Sequence, residues 1–442
     1  MPYATVPHPA VAPTPAGRVA TTPAQPGDPL RNGQTYLTQI GWTPAPVGQN
    51  GPLVAVLDTG VDAAHPDLAD VIAPGARSFV AGGGPATTDS ATHGTQVAGI
   101  IAAQSDNGVG ISGVARARIL PVKIADADGR AETGSLVRGV KYAVARGAKI
   151  LNISFEGGTR SALEQDAIDY AVRRGAMVVV ASGNSGRRRM EYPGAYRQVV
   201  SVAAVDETDT PLDSSTSGPQ VTLAAPGGNV VSTLPGGRYG EASGTSFAAA
   251  VVSGQAARVW AANPRLTASQ VIEVVERTTR DVGTPGRDDA TGLGVVNLAG
   301  ALRARPMATD PGEANDEPRL SARTTAGLSA SRARAAISAR VDGYRDPRDT
   351  YRVVMAAGDT LRATLNGPAA GDMDLRLWRP GTPTLRRSRL FARTWLAASS
   401  LGPSSQESLT FTAARGGTYS VEVDGGGGRG AYRLLLTRNP GR

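Results

Sequence analysis

Residues 53–62 read LVAVLDTGVD: five apolar residues without a break, then Asp58, Thr59 and Gly60. A strand with one wet face alternates apolar and polar residues, so an unbroken β-branched run suits a strand covered on both faces. Runs of the same kind recur downstream as ARILPVKI, AKILNIS, AMVVVAS and VVSVAAV. Between them lie THGTQVAGIIAAQ, GSLVRGVKYAVARG and ALEQDAIDYAVRRG, which carry helical patterns. Glycines that follow, as in ARGAKI and RRGAMV, fit helix C-terminal caps. Strand alternating with helix predicts an α/β fold, a doubly wound and mostly parallel sheet.

Outward from this core the composition changes twice. Residues 1–33 hold eight prolines among small polar residues, which predicts an extended N-terminal arm rather than core. The α/β region spans 34–304, ending after the helical TASQVIEVVERTT and the short GLGVVNLAGALR. A polar linker follows at 305–312. From 313 to 442, stretches such as DTYRVVMAAGDTLRATL, DMDLRLWRP, SLTFTAA, GTYSVEVDG and AYRLLLTR alternate polar and apolar residues between turn signals, predicting a smaller antiparallel β-sandwich. Asp372 and Asp374 read as strand-end residues rather than metal ligands.

Bulk properties exclude several functions. The chain of 442 residues has no cysteine, hence no disulfide framework and no thiol nucleophile. Its net charge is +8, but only Lys123, Lys141 and Lys149 are lysines, so the positive charge is arginine and persists at alkaline pH. The arginines are scattered and aromatics make up 5%, which argues against a nucleic-acid surface. The apolar runs are too short for a membrane span.

Sites in open α/β sheets form at the carboxyl ends of strands. There the sequence sets Asp58 after LVAVL, His93 on a Thr-His-Gly turn before a helix, and Ser246 on a Gly-Thr-Ser turn opening GTSFAAAVVSG. A serine hydroxyl becomes a nucleophile when an imidazole takes its proton, and a carboxylate fixes that imidazole and stabilises its cation. Each residue also has a plainer reading: Asp58 as a strand-end cap, His93 as a helix-start hydrogen bonder, Ser246 as an N-cap.

Together VAVLDTGVD, HGTQVAGIIAA and SGTSFAAAVVSG resemble the subtilisin-like serine proteases, the subtilases, over residues 28–304. The resemblance implies a serine endopeptidase acting on protein or peptide substrates as a monomer. It implies that Asp58 orients His93, that His93 is general base and then acid, and that Ser246 is the nucleophile. In MVVVASGNSG it implies that Asn184, after Gly183, donates to the oxyanion together with the Ser246 N–H. It implies one cleft wall at Ser154, Phe155 and Gly157, and a second at Gly129, Arg130 and Ala131. Glu156 departs from the family pattern, which often runs from an apolar residue straight to glycine. Glu191, before Tyr192-Pro193, matches the base of the primary specificity pocket, where a carboxylate favours arginine or lysine; alternatively it points outward or pairs with Arg187, Arg188 or Arg189. His65 reads as structural. Asp67 resembles a calcium-ligand position, with carbonyls from AQSDNGVGI; the chemistry itself requires no cofactor. The resemblance places the protein outside the cell, secreted or on the surface, although the first residues lack the apolar centre of a signal peptide. Residues 313–442 resemble the bacterial pre-peptidase C-terminal domain. A reading of another class keeps the fold but makes it a catalytically silent binding or surface module.

Overall fold

The unbroken apolar runs become strands with helices on both sides. The computed structural model describes residues 2–3, 27–46, 51–157, 159–305, 328, 333–342, 348–368, 372–382, 394–402, 404–425 and 429–441. The chain divides into two units, Met1–Met307 and Ala308–Arg442. In chain order the first carries β1 (Pro2–Tyr3), α1 (Thr35–Gln39), β2 (Leu53–Asp58), β3 (Arg77–Ser78), α2 (His93–Ala102), β4 (Arg118–Lys123), β5 (Ala131–Glu132), α3 (Thr133–Ala145), β6 (Ile150–Ile153) and α4 (Ala162–Arg173). It continues with β7 (Met177–Ala181), β8 (Val200–Val205), β9 (Leu223–Pro226), β10 (Val230–Leu234), β11 (Arg238–Ala242), α5 (Thr245–Ala262), α6 (Ala268–Arg277) and α7 (Leu298–Arg303).

Seven strands form one sheet in the order β3-β4-β2-β6-β7-β8-β9, every neighbouring pair parallel. Successive side chains of a strand point to opposite faces. Accordingly Val54 and Val56 of β2 join a core with Ile100 of α2 and Phe247 of α5, while Ala55 and Leu57 join a second core with Leu136 of α3 and Ile168 of α4. The same split divides Met177 and Val179 from Val178 and Val180 of β7. The predicted doubly wound α/β sheet is therefore the observed one, and it accounts for the absence of alternation.

Helix α5 is buried from Thr245 to Trp260. Its small residues admit close neighbours: a Cβ at Gly254 would lie 2.6 Å from Val114 Cβ. Burying Phe247, Val251 and Val252 contributes about 1.5–3 kcal/mol each, so the helix that carries Ser246 is anchored along its length.

Three features lay outside the sequence reading. The β10–β11 hairpin pairs in antiparallel register and packs Ser232 and Thr233 onto carbonyls of α2. The folded region takes in 28–33, assigned to the arm although the resemblance begins at 28: Asp28 is a buried carboxylate that accepts from the Asp106 and Asn107 amides at 3.0 and 3.1 Å. Pro2–Tyr3 pairs with Ala131–Glu132; the rest of the proline-rich arm up to residue 26, and the linker beyond Arg305, lie outside the described residues.

The second unit holds two four-stranded antiparallel sheets. One is ordered β12 (Arg334–Asp342), β19 (Arg429–Asn439), β14 (Thr360–Asn366), β17 (Gln406–Thr412). The other is β13 (Arg348–Met355), β18 (Gly417–Asp424), β15 (Asp374–Trp378), β16 (Leu396–Ser400). Val353, Leu361, Leu377, Val421 and Leu434 from both sheets share one core. Here burial alternates along the strands, most clearly in β14, because each sheet covers only one face of the other. Asp374 is the first residue of β15 and pairs with Arg376 at 2.6 Å.

Candidate active site

Three segment ends meet beyond the carboxyl edge of the parallel sheet. β2 ends at Asp58, α2 begins at His93, and α5 begins at Thr245. His93 Nδ1 lies 2.8 Å from Asp58 Oδ1, and both side chains are buried. A Cβ at Gly94 would lie 2.0 Å from the Gly60 carbonyl oxygen, so only glycine lets the start of α2 come this close to the turn after β2. Thr92, just before His93, has φ 68°. A left-handed non-glycine residue costs on the order of 1–3 kcal/mol, which the surrounding hydrogen bonds must offset.

Those bonds radiate from Asp89. Its Oδ2 accepts from the Thr95 amide at 2.8 Å and the Thr95 hydroxyl at 2.7 Å, and its Oδ1 from the Thr59 hydroxyl at 2.8 Å. Thr59 Oγ1 accepts in turn from the Gly94 amide at 3.1 Å, and the Thr59 amide donates to Asp58 Oδ1 at 2.8 Å. Thr59 and Asp89 thus hold the first turn of α2 against the end of β2. The sequence offered one sign of this, a carboxylate just ahead of a helix N-terminus, where partial positive charge favours it.

Burial pulls the His93 pKa down, but the charge and hydrogen bond of Asp58, with a further push from Asp89, leave it above the ordinary imidazole value. Asp58 Oδ2 has no hydrogen-bond partner among the described residues. Asp58 Oδ1 accepts from Thr59 as well as facing His93 Nδ1.

Ser246 is not the N-cap. Gly244 occupies that position with φ 146°, and Ser246 is the second residue of α5. The cap function is supplied from the turn after β7: Asn184 Oδ1 accepts from the Thr245 amide at 2.9 Å and the Thr245 hydroxyl at 3.1 Å. The Phe247 and Ala248 amides turn back to the Gly244 carbonyl, and the Ser246 N–H has no acceptor among the described residues. With Oδ1 committed to α5, the Asn184 amide nitrogen is the end left to donate. Ser246 Oγ donates to the Ser154 carbonyl at 3.4 Å, while Ser154 Oγ donates to the Ser246 carbonyl at 3.2 Å. The His93 ring lies 5.6 Å from the Phe247 ring and 6.2 Å from the Phe155 ring. The structure therefore gathers Asp58, His93, Ser246, Asn184, Ser154 and Phe155 in one place.

Past Ser154 the chain runs to Gly157, which exchanges two backbone hydrogen bonds with Tyr192, at 2.6 and 2.9 Å. This closes a recess between 154–157, Gly183–Asn184 and Glu191–Tyr192. Glu191 is buried, with Oε1 3.2 Å from Arg189 Nε. Of the alternatives to a pocket base, Glu191 does not point outward but does pair with Arg189. Glu156, which the sequence showed only as a break in pattern, accepts from the Asn184 amide at 2.5 Å. On the second wall Gly129 turns with φ 73°, Ala131 bridges to Ala125, and Ala131–Glu132 carries the β1 pairing.

His65 and Asp67 lie apart from this group. His65 Nε2 meets the Arg238 carbonyl at 3.0 Å and Nδ1 accepts from the Asp67 amide at 3.1 Å, a structural role. Asp67 accepts from Asn107 Nδ2, the Ile111 amide and the Tyr239 hydroxyl, each at 2.9 Å.

The sequence profile of the Subtilase family matches residues 49–294. Subtilisin BL of Lederbergia lenta is 39% identical over 255 residues, which are 58% of this chain and 91% of that protein. The thermostable alkaline protease of Halalkalibacterium halodurans is 40% identical, over 53% of this chain and 64% of its own length. The cell wall-associated protease of Bacillus subtilis is 35% identical over 58% of this chain, but that match spans only 31% of the relative. A solved protease structure from Pseudoalteromonas arctica superposes with a TM-score of 0.56 at 29% identity, covering 63% of this chain and 98% of its own.

Proposed function

The chain belongs to the subtilase family, and from that premise we propose that it is a serine endopeptidase that cleaves proteins or peptides through an acyl-enzyme. The observation that carries this reading is the buried 2.8 Å His93–Asp58 pair set against the first turn of α5, where Ser246 sits. His93 takes the Ser246 hydroxyl proton as the oxygen attacks the peptide carbonyl. Asp58 holds the tautomer and offsets the imidazolium charge. The oxyanion is met by the Asn184 amide nitrogen and the Ser246 N–H; a single preorganised donor of this kind is worth about 10²–10³ in rate. His93 then protonates the leaving amine, and water repeats the attack on the acyl group.

The substrate backbone lies extended between the two walls, adding a strand to each. The antiparallel pairing of Pro2–Tyr3 on Ala131–Glu132 supports this use of the second wall. Backbone recognition of this sort tolerates many sequences, so selection falls on the recess beside Asn184. No described helix is long and apolar enough to cross a membrane, and we place the enzyme outside the cell, working as a monomer without a cofactor for the chemistry.

Labelling with a fluorophosphonate probe tests the reading. Wild type is expected to label and to hydrolyse casein, and Ser246→Ala to do neither. Equal labelling of both proteins, or of neither, would leave the silent binding module as the better account.

A further inference from the structure

The recess beside Asn184 contains two carboxyl groups whose arrangement goes beyond a single acidic pocket floor. A Cβ placed at Gly183 would lie 1.8 Å from Glu191 Oε2 and 2.8 Å from Glu156 Oε2. Both oxygens therefore reach into the space that a side chain at 183 would fill, and the left-handed φ of 115° there favours glycine as well. Glu191 is 5% exposed, and its Oε2 finds no N–H or O–H partner among the described residues. That oxygen, buried and aimed into the recess beside Glu156, needs a donor that only a shared proton or an entering ligand can bring.

On the proteolytic reading, this recess is the place for the side chain preceding the scissile bond. The carbonyl under attack must sit at Ser246 Oγ with its oxygen toward Asn184. The Ser154 carbonyl touches Ser246 Oγ, and the chain from Ser154 leads directly past Glu156 to Tyr192. A side chain attached next to the attacked carbonyl therefore points between 154–157 and Gly183.

We propose, on the premise of the proteolytic reading above, that Glu156 and Glu191 are one proton-sharing carboxyl pair, and that a substrate arginine displaces the shared proton, so that selection of arginine strengthens as the medium becomes more alkaline. The groups facing Glu156 are the Glu191 carboxyl, the Asn184 amide N–H and, farther out, the Arg189 guanidinium. Two carboxylates this close cannot both ionise cheaply. A proton kept by one supplies the O–H that Glu191 Oε2 lacks. Burial and the Glu191 charge push Glu156 up to about 8, so the proton is retained at neutral pH.

Charge counting explains the choice of ligand. In the resting pocket one negative charge faces Arg189, and the sum is zero. When an arginine side chain enters, the shared proton leaves to solvent, two carboxylates face two guanidinium groups, and the sum is again zero. A planar guanidinium can take one oxygen from each carboxylate through its forked N–H groups, which an ammonium cannot match as well. A neutral side chain releases no proton and leaves the pair as it was.

The test compares arginyl and leucyl peptide anilides on wild type from about pH 6.5 to 9.5, with the active fraction counted by fluorophosphonate labelling. The ratio of kcat/KM, arginine over leucine, is expected to rise by on the order of tenfold per pH unit and to level above the pair's titration. In parallel, calorimetry of benzamidine binding in two buffers of different ionisation heat is expected to show release of about one proton per ligand near pH 7, and none with Glu156→Gln. A labelled, active enzyme whose ratio is flat with pH, or benzamidine binding without proton release by wild type, overturns the proposal. Absence of labelling overturns the proteolytic reading instead, and the proposal with it. Because both measurements use wild type, a variant that fails to fold does not shield the idea.

Discussion

Asp58 and Asp89 lie behind His93; Glu156 and Glu191 lie beside Gly183. Both are pairs of buried or half-buried carboxyls near one serine, and each includes one oxygen without a hydrogen-bond partner among the described residues. Their surroundings differ. The aspartates are separated by Thr59 and ringed by hydroxyl and amide donors, with an imidazole at 2.8 Å. The glutamates face each other with one amide and one half-exposed arginine for company. Burial pushes Asp89 up as it does Glu156, but at Asp89 the Thr95 and Thr59 donors oppose that push, whereas at Glu156 the facing Glu191 carboxyl adds to it. The first pair should therefore set how fast any peptide is cut, and the second which peptide is cut.

The strongest way to break this division is Asp58→Asn. A loss of about 10⁴ in kcat is expected for arginyl and leucyl peptides alike, and a loss confined to one of them would contradict the assignment of rate to this pair. Asn184→Ala comes next, with a loss of about 10²–10³ in kcat for both substrates. It also removes the acceptor for the Thr245 amide, a further stability cost of about 1 kcal/mol readable in denaturant unfolding.

The glutamate pair is sharpened by thermal unfolding against pH. A raised carboxyl pKa means that the native state binds more protons than the unfolded chain between about 4.5 and about 8. The stability from the protonated pair is thus present at acid pH and is lost as pH rises through that window. Glu156→Gln is expected to flatten this part of the curve; a wild-type curve already flat there would contradict a retained proton.

The smallest effect concerns Asp89. Because His93 must be neutral to act as base, kcat/KM should rise with pH around a midpoint above the ordinary imidazole value. The favourable charge interaction of protonated His93 is correspondingly present at low pH and fades as pH climbs through the same midpoint. Asp89→Asn should move that midpoint down toward the ordinary value, and an unmoved midpoint would assign Asp89 to packing the helix start alone.

Much of the first pair's setting was legible in the sequence because its geometry is local. Asp58 ends an unbroken apolar run, and His93 and Ser246 each open a helix after a short turn, so their positions follow from strand and helix boundaries. The fold was legible for the same reason: a residue such as Val54 betrays its burial by having no polar neighbours in the run. The second pair is a long-range meeting. Glu156 and Glu191 are brought together by the Gly157–Tyr192 bridge and by the bare backbone at Gly183, neither of which leaves a periodic trace. The plainer reading of Ser246 as an N-cap does not hold, because the cap arrives from Asn184, far away in sequence. The hairpin β10–β11 escaped notice because VVSTLPGGRYGEA packs one face on α2 and leaves the other half wet, unlike the sheet it adjoins.

Asn184 is tied at both ends, its side chain to the helix that bears the nucleophile and its backbone to Glu156. Whatever tugs at the acidic recess tugs at the anchor of the oxyanion as well. A misfitting residue should then be penalised at the moment of bond formation, in kcat, while its grip in the groove, and so its KM, stays much the same.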